Sequence, residues 1–413
     1  MAQSVLGSLT LCYQLLWNRK RDMAGVRLLA YEDGEQADGG HLLRSLTEMW
    51  MAESPRLLLA PRSARLLHGV LEQADGDSPM VEVPVDWLAD EAMAQAATEA
   101  RRRGAALIAS AGPGPRRTDF PGRSSPRVME LEVDHAAAAL QAVLRARDAD
   151  PRHPAQRAAA QAQLAASPIE PEQIVVGAAS MALVEHALDQ RAAWAVAGWP
   201  IEDVLHRNKG QPLPPTRRAV VRTMQALESE QSLDQLELQF GQEPALAYRL
   251  LLHLNSASLG LRRRITSLRH GVMMLGYRTL DAWLAEQLPH TSDDRNLQPA
   301  NASMVLRAHL TSQLMEAGVE EELRREVYLC GLFAQLDLVM DEPMRTAVGR
   351  VALPERVVEA VLRGTGPYAS VLQVAQALGQ DNPGVVRATR ARFDMSAEEI
   401  NRSLLRTLAV ATV

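Results

Sequence analysis

Few residue runs in this chain could carry chemistry. The one Asp-Asp pair, Asp293–Asp294, sits in HTSDDRN. Paired carboxylates can hold a divalent cation, but no strand-type segment leads into this pair, so it reads as an exposed loop or a helix cap. Ala111–Pro115 (AGPGP) is Gly-rich. It lacks the Gly-Lys-Ser/Thr ending and following helix of a phosphate-binding loop, so it reads as a plain loop. Arg262, Arg263 and Arg264, followed by Arg269–His270, form a basic turn. That turn could meet an acidic partner or a phosphate, or simply be solvated. Asn255–Ser256, at a helix end, either bonds nearby backbone or gives a binding groove a polar point. Met273–Met274 either lines an adaptable groove or packs in a core. Tyr248, Trp283 and Trp194 read as core rather than as ligand platforms. Cys12 and Cys330 lie too far apart in sequence for a close-spaced zinc site and read as free thiols. The residues call for no metal and no cofactor.

The elements that position these residues divide the chain. Its 413 residues allow two or three domains. A formal charge of −6 and a pI near 6.0 give no global field toward nucleic acid or an anionic membrane. No apolar run is long enough to span a bilayer, and no signal-type segment opens the chain, so a cytoplasmic location is expected. Residues 1 to about 205 alternate between strand and helix. Strand-type segments fall at Leu6–Leu16, Val26–Tyr31, Arg56–Leu59, Met80–Val85, Ala105–Ala109, Val128–Val133, Gln173–Val176 and Ala193–Trp199. Helical stretches fall at His41–Glu53, Ser63–Glu72, Asp90–Arg103, Ala136–Arg147 and Ser180–Gln190. This alternation predicts a mainly parallel sheet, open or closed as a barrel, whose first two strands pair as an antiparallel hairpin. Ala111–Arg127 reads as loop, and the Ala/Gln run within Asp148–Pro171 as a surface helix. Lys209–Pro215 (KGQPLPP) marks a boundary. Beyond Thr216 the helical period dominates, predicting an all-helical domain of about nine helices with Ser267 and Ser396 as N-caps.

The run YRLLLHLNSASLGLRRRITSLRHGVMMLG, Tyr248 to Gly276, closely resembles the signature of HDOD domains. So does FGQEPALAYRLL, Phe240 to Leu251, with Glu243 at the family's acidic position. VYLCGLFAQLDLVMDEPM, Val327 to Met344, resembles the version found in HDOD domains fused to an EAL domain, and LPERVVEAVLRGTGPYASVLQVA, Leu353 to Ala375, continues the likeness. The N-terminal half resembles a degenerate EAL domain, the fold of cyclic diguanylate phosphodiesterases. Tyr13–Leu29 (YQLLWNRKRDMAGVRLL), Met80–Val85 and Leu183–Pro200 (LVEHALDQRAAWAVAGWP) carry that resemblance. It implies an α/β plus all-α chain of the YuxH-like group: a degenerate (β/α) barrel of EAL type over 1–208, then a helical HDOD domain over 209–413.

The resemblance also implies a loss of activity. An active EAL enzyme holds two divalent cations with carboxylates and an Asn. Here the name-giving glutamate aligns with Arg27, the Asn with Ala60 or Pro61, the paired aspartates with Ala109–Gly112, and the lysine position falls near Glu130. Glu82 and Glu185 remain as remnant site positions, too few to fix two metals. None of the ten histidines is followed by Asp, so the His-Asp doublet of a phosphohydrolase is missing too. The expectation is a non-catalytic bacterial signalling protein that scaffolds protein partners. Its signature positions are Asn255, Ser256, Gly260, Arg262, Arg263, Arg264, Ser267 and Gly276. The alternative is a receptor that binds cyclic diguanylate without cleaving it, with Arg27 near the phosphate.

Overall fold

The structure, a computed structural model, describes residues 4–34, 37–112, 127–149, 152–206, 212–256, 259, 264–315 and 319–411. They form two units, one of Met1–Pro200 with Leu378–Val413, the other of Ile201–Ala377.

In the first unit eight strands close in chain order into a barrel. They are β1 (Leu9–Trp17), β2 (Met23–Glu32), β3 (Leu57–Pro61), β4 (Met80–Pro84), β5 (Leu107–Ala111), β6 (Arg127–Glu130), β7 (Gln173–Val176) and β8 (Ala195–Ala197). β1 runs antiparallel to β2 and β8, and all other neighbours are parallel. All eight expected strands form, and the opening hairpin pairs as expected. Helices α1 (Gly39–Met49), α2 (Ala64–Gln73), α3 (Glu91–Arg102), α4 (Val133–Asp148), α5 (Pro154–Ala165) and α6 (Met181–Glu185) follow the strands. Side chains of Asp38, Ser63, Asp90 and Ser180 cap the N-termini of α1, α2, α3 and α6, satisfying donors that a helix leaves free. The Ala/Gln run is α5, exposed except for buried Ala160 and half-buried Leu164. Most of the Ala111–Arg127 loop lies outside the described residues.

The barrel interior changes character along its axis. Leu16, Leu58, Ile108, Val128 and Ile174 form a buried apolar cluster, with Met80 and Trp194 packed against it. Side chains two apart share a face of a strand. Gln14, Glu82, Ser110 and Glu130 stand two residues from Leu16, Met80, Ile108 and Val128, and Arg27 pairs in register with Gln14. A polar layer therefore lies above the apolar one, toward the C-terminal ends of the parallel strands. In barrels of alternating strands and helices, that end carries the active site.

The second unit is helical: α7 (Ile201–His206), α8 (Arg217–Glu228), α9 (Leu233–Gly241), α10 (Pro244–Leu254), α11 (Leu268–Gln287), α12 (Leu297–Gln313), α13 (Glu321–Leu332), α14 (Leu336–Met340), α15 (Met344–Arg350), α16 (Glu355–Arg363) and α17 (Ala369–Leu378). From Thr216 onward no strand occurs among the described residues beyond an isolated bridge between Thr216 and Ser292. Tyr248 and Trp283 are core, as expected: Tyr248 meets Phe333 edge-on at 6.3 Å and donates its hydroxyl to Ala347 O at 3.1 Å.

Two expectations need correction. Twelve α-helices follow Thr216 among the described residues, α8 to the final α19, rather than about nine. Breaks such as the left-handed Asp341, φ 49°, split apolar stretches into short helices. The C-terminal boundary also differs. The last two helices, α18 (Pro383–Arg392) and α19 (Ala397–Ala409), belong with the barrel and not with the helical unit, because their apolar faces and polar anchors pack on β1. Expected domains of 1–208 and 209–413 become a barrel unit made of two chain segments with the helical unit inserted between them.

Candidate functional site

The polar layer of the barrel is built around Arg27. Its Nε donates to Glu82 Oε2 at 2.7 Å and its Nη2 to Glu82 Oε1 at 2.6 Å, a bidentate pair. Nη2 also donates to Glu130 Oε1 at 2.6 Å, and Nη1 to Gln14 Oε1 at 3.0 Å. The Arg27 and Glu82 side chains are each 1% exposed, whereas Glu130 is 38% exposed. Arg62, partly exposed, places Nη1 3.4 Å from Glu130 Oε1 and 3.9 Å from Glu82 Oε1. Gln14 extends the chain by donating Nε2 to Asp381 Oδ2 at 2.8 Å.

The charges follow from this geometry. Burial alone would pull the Arg27 guanidinium down, but Glu82 and then Glu130 hold it above its ordinary value. Burial pushes Glu130 up, and the bonds and charges of Arg27 and Arg62 outweigh it, leaving its carboxyl lowered. Asp381 is raised, chiefly by burial, against the opposing charges of Arg27 and Arg62.

An active EAL enzyme would need two divalent cations, and these residues do not fit them. The Arg27 guanidinium occupies both oxygens of Glu82, the buried carboxylate of the layer. Glu185 lies on α6 rather than on a barrel strand. Among the described residues, no group of three or more His, Cys, Asp or Glu is placed to hold a metal ion. Sequence reasoning singled out Arg27 and Glu82, and the structure brings them together. It missed Gln14, Arg62 and Asp381 as members of the cluster. The signal for Gln14 lay in the strand alternation, two residues from Leu16.

In the helical unit, Asn255, Ser256, Ser267 and Gly276 each serve the backbone. Asn255 ends α10, donating Nδ2 to Leu251 O and Ile265 O, both at 2.8 Å, and accepting from Ile265 N at 2.9 Å. Ser256 donates Oγ to His253 O at 2.7 Å. The two polar residues therefore bond backbone. Ser267 caps α11, accepting from His270 N at 3.3 Å; in the barrel unit Ser396 caps α19, accepting from Glu399 N at 3.5 Å. Gly276 bends α11 with φ 68° and ψ 162°, a conformation open essentially to glycine. Gly260, Arg262 and Arg263 lie outside the described residues, and Arg264 is exposed. Asp294 accepts from Asn296 N at 2.9 Å in an exposed turn, as expected for Asp293–Asp294. Met273 and Met274 are 57% and 49% exposed, so core packing does not hold for them.

Glu243 is the buried acidic group of this unit. It accepts from Thr216 Oγ1 at 3.0 Å, Thr216 N at 3.3 Å and Asn301 Nδ2 at 2.8 Å, joining the starts of α8 and α10 to α12. Burial pushes its carboxyl up to about 7, against the lowering effect of these bonds. Asn301 Oδ1 is buried without a hydrogen-bond partner. An amide turned end for end would let Asn301 Oδ1 accept a hydrogen bond from the O–H of a neutral Glu243 carboxyl.

The fold and these sites define a two-part protein, an α/β barrel with a helical module. Residues 213–341 of that module match the family model of the HDOD domain. An HDOD domain points to a bacterial signalling-related protein. No curated protein matches the chain. Among solved structures, it is similar to the MmoQ response regulator from Methylococcus capsulatus str. Bath, at 18% identity over 47% of this chain and 98% of that chain, with a TM-score of 0.38. Among the described residues, no helix is long and apolar enough to cross a membrane.

Proposed function

We propose that this chain is a non-catalytic signal-transduction protein of the cytoplasm, a scaffold or regulator for protein partners in cyclic diguanylate signalling. In this reading the barrel is an EAL-type fold that has lost hydrolysis. One observation carries it: the buried bidentate pair of Arg27 and Glu82 occupies the polar layer where metal-bound carboxylates would stand. Two-metal hydrolysis needs carboxylates free to bind cations a few ångströms apart. A paired guanidinium excludes that by charge and by volume.

The helical unit supplies the partner surface in this reading. Leu252 on α10 and Met273 and Met274 on α11 are exposed, and methionines adapt to varied partners. The receptor alternative fares less well, because Arg27 already gives one N–H from Nε, one from Nη1 and two from Nη2 to protein acceptors.

The test pairs calorimetry with a cleavage assay. The full chain is titrated with cyclic diguanylate with and without Mg²⁺, beside an active EAL enzyme as positive control. Neither heat nor cleavage is the expected result. Metal-dependent cleavage abolished by Glu82→Gln would overturn the non-catalytic reading. Tight, metal-independent binding would replace the scaffold by the receptor.

A further inference from the structure

The barrel sheet has an incomplete seam. β1 pairs with β8 only through Leu16 and Trp17, although β1 starts at Leu9. The seam's other end is filled by one side chain from the far end of the sequence. Asn401 of α19 is 2% exposed. Its Nδ2 donates to Leu9 O at 2.8 Å and its Oδ1 accepts from Leu11 N at 3.3 Å. A residue of a parallel neighbouring strand would bond Leu9 and Leu11 in the same way. Nδ2 also donates to Leu6 O at 2.8 Å. The amide thus acts as one residue of a missing strand, and Ile400, Leu404, Leu405 and Leu408 bury the apolar face of α19 around it.

A second anchor is made of charge. Asp33, just past β2, accepts from Thr10 Oγ1 at 2.6 Å, Arg387 Nε at 2.7 Å and Arg390 Nη1 at 2.9 Å. Arg387 also donates to Glu32 O at 2.9 Å. Arg387 and Arg390 are partly solvated, so this anchor is weak and screened by salt. In sequence Asp381 precedes both anchors, and it accepts a hydrogen bond from Gln14, whose amide oxygen in turn accepts from Arg27.

We infer that residues 378–411 form a hinged strap. Its α19 end is fixed in the β1–β8 seam by Asn401, while its Asp381–Arg390 end rests on the barrel mouth through the Asp33 ion cluster and lifts off without unfolding the barrel. The contrast in anchors is the argument. One end is dry, apolar and hydrogen-bonded to backbone; the other, although it buries Val386, is held by ion pairs whose arginines are partly solvated. The strap begins where α17 ends, so chain continuity links the inserted helical unit to Gln14 and the Arg27 cluster.

Cys12 supplies the readout. It lies on β1 two residues from Gln14, fully buried, and the charges acting on its thiol are those of Asp381 and Arg387. Cys330, equally buried in the helical unit, is an internal control. The full chain is exposed to a thiol reagent, and modification of each cysteine is followed by peptide mass spectrometry. The variants are Arg387→Gln with Arg390→Gln, which are surface changes, and separately Asn401→Ala. The double variant should raise the Cys12 rate several-fold with Cys330 unchanged, and added salt should do the same to wild type. An unchanged Cys12 rate in the double variant would overturn the strap. So would a parallel rise at both cysteines, which reports global opening. Asn401→Ala should speed Cys12 further; should that variant not fold, the double variant and the salt series decide alone.

Discussion

Replacing Arg27 by Met tests the barrel reading most directly. The change leaves Glu82, 1% exposed, without its bidentate partner. The nearest remaining cation is Arg62 Nη1, 3.9 Å from Glu82 Oε1. Breaking a buried ion pair by removing one partner costs about 3–5 kcal/mol, because the remaining charge stays desolvated. Arg27→Met with Glu82→Leu removes both charges and should recover to within about 1–2 kcal/mol of wild type. Denaturant unfolding followed by tryptophan fluorescence reports chiefly on this unit, which holds Trp17, Trp50, Trp87, Trp194 and Trp199. A single variant within about 1 kcal/mol of wild type at pH 8 would refute the reasoning, as would a double variant no better than the single.

Glu243 should make the helical unit pH-sensitive. Its folded pKa, about 7, exceeds the ordinary value of 4.5 because the carboxyl is buried. Its stabilising contribution is therefore complete at low pH and lost as pH rises through about 7, a total of up to about 3 kcal/mol. Glu243→Gln should flatten that slope in unfolding followed by far-ultraviolet circular dichroism between pH 5 and 8; an unchanged slope argues that another group titrates. Gly276→Ala meets no neighbouring atom within 4 Å, so only backbone strain opposes it. A loss of about 1–3 kcal/mol is expected in thermal or urea unfolding. Asn255→Ala should remove about 1–3 kcal/mol and speed amide exchange at Ile265, whose N–H loses its acceptor. Burial pushes the thiols of Cys12 and Cys330 up to about 12, so at pH 8 both should resist alkylation in the native chain and react once it is unfolded.

The strands were legible because each carries a short apolar run bounded by turn residues, and chain order alone then fixes their neighbours. Arg27 stood out through the EAL resemblance, as a cation where that family carries a metal-binding glutamate. Its partners were harder, since Gln14, Glu82 and Glu130 sit on three other strands and are ordinary polar residues until the sheet closes. Asp381 was out of reach, because nothing local to GQDNP says which surface its helices will cover. Periodicity marks α19 as amphipathic without naming its partner, so a division at 208/209 assigned it to the adjacent domain. Met273 and Met274 fall in a helical run whose apolar residues suggest a core, but the bend at Gly276 breaks the face and leaves them outside.

The bond between Leu11 and Asn401 spans 390 positions of sequence. Ribosomes deliver residues in order, at roughly 5–20 per second. The hairpin and the six later strands thus emerge about 10–40 s before the amide that completes their seam. During that interval the start of β1 presents unpaired peptide groups, the kind of edge on which foreign strands pair. The inserted helical unit, made of contacts closer in sequence, is free to fold first. Nascent chains stalled before residue 401 should thus be the aggregation-prone species, and a chaperone that shields strand edges would act on them rather than on the finished protein.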